Sequence, residues 1–335
     1  MASDQAAIAG AGAASQPERR VLVTGATGYV GANIAAALLA DAGVAEVVVG
    51  GRDPAGGEAL AAALGDPPRL RFTKGRLPED PWPLGDADTV VHVAGVRPGI
   101  GVDDTRILLV NQEGTRRLLE RVPGSAVRRV VFISAQSVYG WRRPPPWHEA
   151  MEARPQTAYG LSKWVGEVLC LGLDADIDVV VLRLARVYGL GVGHRLVWTR
   201  MPHRFALLAA RGETIPVFGD GEQRLDLVHV ADVAEAARRA ALVPGMPLRV
   251  VLNVGGGGPM TTRAVAAACA RAAGDLGLPI PPITSVPETR EPAPDFGLDI
   301  SRAAEVLGWA PAWTPAEGLQ QLIGAAAGRG GRDRA

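Results

Sequence analysis

Short apolar runs closed by glycine or a polar residue alternate along the chain with stretches of helical period. Residues 20–24 (RVLVT), 46–49 (EVVV), 89–93 (TVVHV), 129–133 (RVVFI) and 178–182 (DVVVL) carry consecutive valine, leucine or isoleucine. A strand with one wet face would alternate; an unbroken apolar run predicts a strand buried on both faces. Residues 33–39, 105–121 and 158–171 carry the helical pattern between them. Such alternation predicts an α/β fold, a doubly wound parallel sheet of the Rossmann kind with helices on both faces. Past about residue 187 the rhythm loosens, and residues 225–230 and 249–253 read as segments returning to the sheet. The expected organisation is a tail over 1–18 and a dinucleotide-binding domain over 19–186, with returning segments near 225–254. A smaller, discontinuous substrate lobe follows over 187–224 and 255–326, and a second tail over 327–335.

Composition narrows the partners. The 35 Lys and Arg balance the 35 Asp and Glu, which speaks against a nucleic-acid surface. No apolar run approaches the roughly 18 residues of a membrane span. Cys170 and Cys269 are too few for a disulfide framework and read as reduced core thiols of a cytoplasmic protein. Among the basic residues only Lys74 and Lys163 are lysine. In a chain so biased towards arginine, a retained lysine points to a position where lysine chemistry is needed.

Residues 24–31 read TGATGYVG, directly after the first strand and opening the first helix. Gly25, Gly28 and Gly31 let the backbone turn tightly and approach a ligand, while Thr27 lies in the turn. The free N–H groups near Tyr29 and Val30 face a pyrophosphate at the helix N-terminus. At the end of the second strand, Gly50 and Gly51 stand where a carboxylate would hold the ribose hydroxyls of NAD, and Arg52 follows. A guanidinium suits a 2′-phosphate, so NADP is favoured over NAD; the alternative is a surface charge paired with Asp53.

Tyr159 and Lys163 in YGLSK share one face of a helix. A phenol near pKa ~10 is a poor acid–base group at neutral pH. The expectation is that the Lys163 ammonium favours the phenolate and brings that value down.

With both motifs in hand, the chain resembles the extended short-chain dehydrogenases/reductases, the NAD-dependent epimerase/dehydratase family, over about residues 20–315. Further segments carry the likeness: VVHVAG (90–95, with Ala94 and Gly95), Asn111 in VNQEGTRRLLE, FISAQSVYG (132–140) and RLARVYG (183–189). GDGEQRLDLVHVADVAEA (219–236), NVGGGG (253–258) and DISRAAEVLGWAP (299–311) follow in the same order. The resemblance implies that Ala94, Gly95 and Asn111 lie beside the cofactor. It implies that Tyr159 exchanges a proton with the substrate oxygen while Lys163 positions the nicotinamide ribose. It implies a homodimer through helices including the one carrying Tyr159, whose Trp164 and Val168 are compatible with burial.

Three departures bear on the reaction. Ala135 stands where the family has a catalytic Ser or Thr, so Ser137, Ser134, a water or a substrate hydroxyl is expected to substitute. Gln136 and Ser137 replace the Asp-Glu pair of the sugar-nucleotide dehydratases, which disfavours dehydration. Leu225-Asp226 replaces an Arg-Asp pair, with Arg224 displaced by one and therefore on the other strand face. Arg186 and Arg290 remain candidate anion ligands, although a structural salt bridge accounts for Arg186 as well. His148 and Glu149 are a candidate acid–base pair, against the plainer reading of a solvated loop. Trp141, Trp147 and Trp198 fall in regions expected to line the cleft. No histidine shows metal-ligand spacing, so no metal is expected. The leading expectation is NADP(H)-dependent keto reduction of a small biosynthetic intermediate. The alternatives are an epimerase holding NAD tightly and a cofactor-binding regulatory protein without catalysis.

Overall fold

The computed structural model describes residues 19–99, 101–194, 201–244, 249–287 and 294–330. The large lobe runs β1 (Arg19–Thr24), α1 (Tyr29–Leu39), β2 (Val44–Gly51), α2 (Pro54–Ala63), β3 (Leu70–Lys74), β4 (Thr89–His92), α3 (Asp104–Leu108), a π-helical turn (Leu109–Glu113), α4 (Gly114–Leu119), β5 (Arg129–Ala135), α5 (Ala158–Leu171) and β6 (Asp178–Leu184). The rest follows as β7 (Arg186–Tyr188), α6 (His203–Ala210), β8 (Ile215–Phe218), β9 (Arg224–Leu225), β10 (Leu227–His229), α7 (Val230–Leu242), β11 (Arg249–Val254), β12 (Met260–Thr261), α8 (Thr262–Asp275), β13 (Ile283–Val286), α9 (Ser301–Leu307) and α10 (Pro315–Gly330).

Seven parallel strands form one sheet in the order β11-β6-β5-β4-β1-β2-β3. The five runs read as strands from the sequence are all in it. Strand β3 was not anticipated, because LRFTK alternates as an edge strand does instead of running apolar throughout. The order reverses between β1 and β4, and ligands of such sheets sit past the strand ends at this switch point.

Each face buries its own core. On one, Ile34 and Leu38 of α1 meet Val47, Val180, Val233 and Ala237. Helix α7 presents Ala234, Ala236, Ala237, Ala240 and Ala241, small enough for α1 to lie close against it. On the other face Leu118, Phe132 and Cys170 pack over Leu22, Val90, Val130 and Val181. The second lobe gathers Phe205, Leu208, Ile215, Val217, Leu225, Cys269, Leu319 and Leu322 into a separate core.

Three expectations are corrected. Residues 225–230 do not rejoin the main sheet: β9 pairs with β12 and β10 with β7, in small sheets of their own, because the chain there is already committed to the second core. Residues 105–121 are not one α-helix, since the π turn interrupts them. Residues 327–330, expected in a tail, extend α10, whose Leu319, Leu322, Ile323 and Ala326 are buried. Residues 1–18 and 331–335 lie outside the described residues.

Candidate functional site

The site begins at the switch point. Thr24 closes β1, and its Oγ1 accepts from the backbone N–H of Val93 and Ala94 at 3.2 and 3.3 Å. The same hydroxyl hydrogen-bonds His92 Nδ1 at 2.7 Å, while His92 Nε2 meets Thr115 Oγ1 at 2.9 Å. His92 is thus a satisfied core residue, and burial holds its imidazole down at about 3. Gly25 follows at φ +67°, and a Cβ there would come within 2.8 Å of the Ala94 Cα. A Cβ on Gly31 would stand 2.4 Å from the Gly25 carbonyl oxygen. Both contacts exclude any residue but glycine and bring the turn flush with the loop after β4. Gly28 is the N-cap of α1 and offers no side-chain acceptor. The first amides of the helix, including those of Tyr29 and Val30, therefore have no intrahelical partner and are available to an anion. Thr27 lies across from the end of β2, its Cγ2 2.8 Å from where a Gly51 Cβ would be. Phe72 closes the other side at 2.9 Å, so no carboxylate can stand at position 51. Arg52 is exposed, and Asp53 is not its partner but the N-cap of α2, accepting from the Ala55 amide.

Asn111 has a different job from the expected cofactor contact. It is buried in the π turn, and its carboxamide is consumed inside the protein. Oδ1 accepts from the Val96 amide at 2.7 Å, and Nδ2 donates to the Val96 carbonyl and the Ser162 hydroxyl at 2.9 and 3.0 Å. Ser162 in turn donates to the Tyr159 carbonyl at 2.8 Å. This clamp ties the loop carrying Ala94 and Gly95 to the helix carrying Tyr159. Arg97, which the sequence analysis did not single out, directly follows the clamped Val96. The guanidinium of Arg97 acts electrostatically on Tyr29, Tyr159, Lys163 and His203, so it stands among the glycine turn, α5 and the second lobe. A basic residue two places after the Ala-Gly of VVHVAG was the available signal.

Helix α5 starts at the N-cap Thr157, whose hydroxyl accepts from the Gly160 amide at 3.0 Å, so Tyr159 sits in the first turn. Lys163 is buried; its Nζ lies 5.9 Å from the Tyr159 ring centroid and donates to the Ile133 carbonyl at 2.8 Å. Burial holds this ammonium down at about 8. The expected lowering of the tyrosine by Lys163 is not what the geometry produces. Burial pushes the Tyr159 phenol above its ordinary value, and the opposing charge is that of Arg97.

The two candidate serines separate. Ser134 is buried on β5, and its Oγ donates to Glu167 Oε1 at 2.5 Å. Glu167 also takes a bidentate contact from Arg183 at 2.6–3.2 Å, and Arg183 lies 4.7 Å over the Tyr139 ring. With its hydroxyl committed to this buried ion pair, Ser134 is not free to replace the hydroxyl missing at Ala135. Ser137 is placed otherwise, in the 3-10 turn after β5 against the first turn of α5, with a buried Oγ that has no hydrogen-bond partner among the described residues.

The remaining candidates spread out. Glu149 accepts from the Asn253 amide at 2.7 Å, and Asn253 holds the Trp147 and Asp299 carbonyls and the Tyr139 hydroxyl. Glu149 thus pins the loop over 141–156 to β11 and is not a free acid–base group. His148 is exposed beside Asp299. Trp147 does not line the cleft; it is buried against Tyr139 and Phe296. Trp141 is exposed. Arg186 is half-buried on β7, its amide bonded to the Asp226 carbonyl. Arg224 points outward while Leu225 enters the second core, so the displaced arginine faces away, as strand alternation requires. Arg290 and Trp198 lie outside the described residues. Among the described residues no three His, Cys, Asp or Glu could together hold a metal ion, and no helix is long and apolar enough to cross a membrane.

A switch-point glycine turn, an uncapped helix N-terminus and a tyrosine and lysine on the facing helix define a dinucleotide-dependent enzyme site of the short-chain dehydrogenase/reductase type. The family model of the NAD dependent epimerase/dehydratase family matches residues 21–255, and the chain belongs to that family. A UDP-glucose 4-epimerase of Mycolicibacterium smegmatis is 34% identical over 324 residues, covering 91% of this chain and 97% of the relative. A dTDP-glucose 4,6-dehydratase of Streptomyces griseus is 30% identical over 314 residues, covering 90% and 92%. Among solved structures, a UDP-glucuronic acid 4-epimerase of Bacillus cereus in complex with NAD superposes with a TM-score of 0.77 at 25% identity, over 92% of this chain and 99% of that one.

Proposed function

We propose that the protein is an NADP(H)-dependent oxidoreductase that reduces a ketone on a small biosynthetic intermediate. The observation that carries the cofactor preference is the crowded Gly51, which leaves no space for a ribose-binding carboxylate, followed by the exposed Arg52. Gly25, Gly28 and Gly31 with the first amides of α1 would hold the pyrophosphate, and Arg52 the 2′-phosphate. The nicotinamide supplies the hydride. Tyr159 delivers the proton to the substrate oxygen from a phenol that burial keeps protonated at neutral pH. Lys163 is positioned from Ile133 beside that phenol, and Arg97 offers positive charge to the oxygen as it becomes an alcohol. Gln136 and Ser137 supply no carboxylic acid to expel a leaving hydroxyl, which argues against dehydration.

A second reading is favoured by the relatives, whose names include two 4-epimerases of nucleotide sugars. An epimerase would keep its dinucleotide bound through the cycle and show no net consumption. One experiment separates the two: unfold the purified protein, identify the dinucleotide released, then titrate the emptied protein with NADPH and NADH. Preference for NADPH, falling about 10-fold or more in Arg52→Ala with NADH affinity unchanged, is the expected result. Tightly retained NAD would overturn the reductase reading and put the epimerase in its place.

A homodimer would form through an exposed apolar strip. Leu109 of the π turn (52% exposed) and Leu161, Trp164 and Val168 (53%) of α5 are large apolar groups open to solvent on neighbouring elements. A shallow groove runs beside them, with Leu108, Leu109, Val165 and Leu169 on its apolar side and Gln112, Glu113 and Arg116 on its polar side. A two-fold pairing would bury the same strip on both copies. Sedimentation of the wild-type protein should give twice the chain mass, and Trp164→Glu combined with Val168→Asp should give the single-chain mass with the fold intact. A monomeric wild type would rule this pairing out.

A further inference from the structure

We infer that Lys74 is a second ligand of the cofactor's 2′-phosphate, so that cations from the ends of two adjacent strands, Arg52 after β2 and Lys74 closing β3, share that group. This rests on the NADP(H) reading of Arg52 and adds a residue that the reading does not use.

The chain has two lysines. Lys163 is accounted for by its place beside Tyr159. Lys74 lies elsewhere, as the last residue of β3, the outermost strand of the sheet. In the parallel register it stands opposite Gly51. Adjacent strands lie about 4.8 Å apart, a distance that a lysine stem spans.

Neighbouring side chains fix the face on which this happens. A Cβ on Gly51 would meet Thr27 and Phe72 at 2.8 and 2.9 Å, so this side of β2 is the side of the glycine turn. Lys74 follows Phe72 by two residues and shares its face of the sheet. A Cβ on Gly56 would stand 3.4 Å from Thr27 Cγ2, which brings the first turn of α2 onto that face too. On the opposite face the buried Trp82 closes the end of β2, 3.0 Å from where a Gly50 Cβ would be. Three segments therefore converge on one side of the sheet end: the turn at Thr27, the β2–α2 corner carrying Arg52, and the close of β3.

Charge singles out the same two residues. Of the basic groups around them, Arg19 pairs with Asp88, Arg20 with Asp86, Arg71 with Glu46 and Arg76 with Glu79. Arg52 and Lys74 are exposed, and neither has an ion pair among the described residues. Asp53, next to Arg52, is spent on the Ala55 amide. Two such cations on neighbouring strand ends repel each other, and a multiply charged anion shared by both turns that repulsion into attraction. A phosphate monoester carries about −1.5 to −2 at neutral pH. The guanidinium offers it a bidentate fork and the ammonium a compact point charge. A lysine on an edge strand has a plainer use, in blocking the pairing of a further strand. Arg71, within β3, already supplies charge for that purpose. Lys74 stands at the C-terminal end, where ligands of such sheets sit.

The test is binding, not turnover, on the full chain emptied of dinucleotide. NADPH and NADH are titrated into wild type, Lys74→Gln and Lys74→Arg. Adenosine 2′,5′-bisphosphate and 5′-AMP serve as probes that carry and lack the 2′-phosphate. Lys74→Gln should weaken NADPH and the bisphosphate by about 5–10-fold and leave NADH and 5′-AMP within about 2-fold. Lys74→Arg keeps the charge and should hold NADPH within about 3-fold of wild type. Arg52→Ala combined with Lys74→Gln should abolish the preference for NADPH. Unchanged NADPH affinity in Lys74→Gln, beside a loss in Arg52→Ala, would overturn the inference and leave the NADP(H) reading standing; it is also the result a guard on the strand edge would give. An equal loss of NADPH and NADH would overturn it as well, because the effect would not pass through the 2′-phosphate. A wild type without preference for NADPH would sink the NADP(H) reading itself, and this inference with it.

Discussion

Tyr159→Phe should lower turnover by about 10²–10⁴-fold while dinucleotide binding stays within a few-fold of wild type. The ring of Tyr159 packs in the first turn of α5, and phenylalanine keeps that packing; only the ionisable hydroxyl is lost. The bonds that hold the site together do not pass through the phenol. Ser162 takes the Tyr159 carbonyl, and Lys163 takes the Ile133 carbonyl, so the variant should fold and load cofactor normally. The direction of the phenol's shift sharpens the expectation. With its value raised by burial, Tyr159 is a protonated acid across the neutral range, suited to giving a proton to a carbonyl oxygen. Reduction should therefore proceed readily at neutral pH, and the reverse oxidation should gain as pH rises and the phenolate becomes accessible. Following the absorbance of reduced nicotinamide in single turnovers of wild type and variant checks both. An unchanged rate in the variant would mean that the proton comes from elsewhere and would leave a non-catalytic cofactor-binding protein as the better reading.

Glu167→Ala should destabilise the protein by about 3–5 kcal/mol, measured as the shift in urea unfolding free energy. Glu167 is buried one turn beyond Lys163 and carries three donors' worth of contact, two atoms of Arg183 and the Ser134 hydroxyl. Arg183 has side-chain exposure of 6%, and its Nη1 has no hydrogen-bond partner among the described residues. Removing the carboxylate leaves a buried guanidinium against Tyr139, with no carboxylate to pair it among the described residues. The large effect is the cost of that stranded charge, not the net value of the pair. Accordingly, replacing both partners, Glu167→Leu with Arg183→Met, should recover most of the loss. If the single variant unfolds at the wild-type urea concentration, the pair is open to water and this account fails.

Much of the fold was legible in the chain. The five unbroken apolar runs could only be strands covered on both faces, and each became one. TGATGYVG announced the glycine turn because the constraint is local: the next strand's loop and the turn's own carbonyl leave no room for a Cβ. YGLSK likewise placed two side chains on one helix, since four residues are close to one helical turn.

What the chain alone did not decide depended on contacts between residues distant in sequence. Ser134 and Ser137 look alike in SAQSVYG, yet one meets a carboxylate 33 positions away and the other has no hydrogen-bond partner for its hydroxyl among the described residues. Asn111 reads as a cofactor ligand until its amide is seen spent on Val96 and Ser162. Lys163 reads as the partner of Tyr159 until β5 supplies Ile133, and the charge that acts on the phenol is that of Arg97, from a loop distant in sequence. The buried strands and the glycine turn follow from neighbours along the chain, so the sequence determined them. Which polar atoms are satisfied, and which are left for a ligand, depends on what the fold brings from elsewhere; that only the tertiary structure decided.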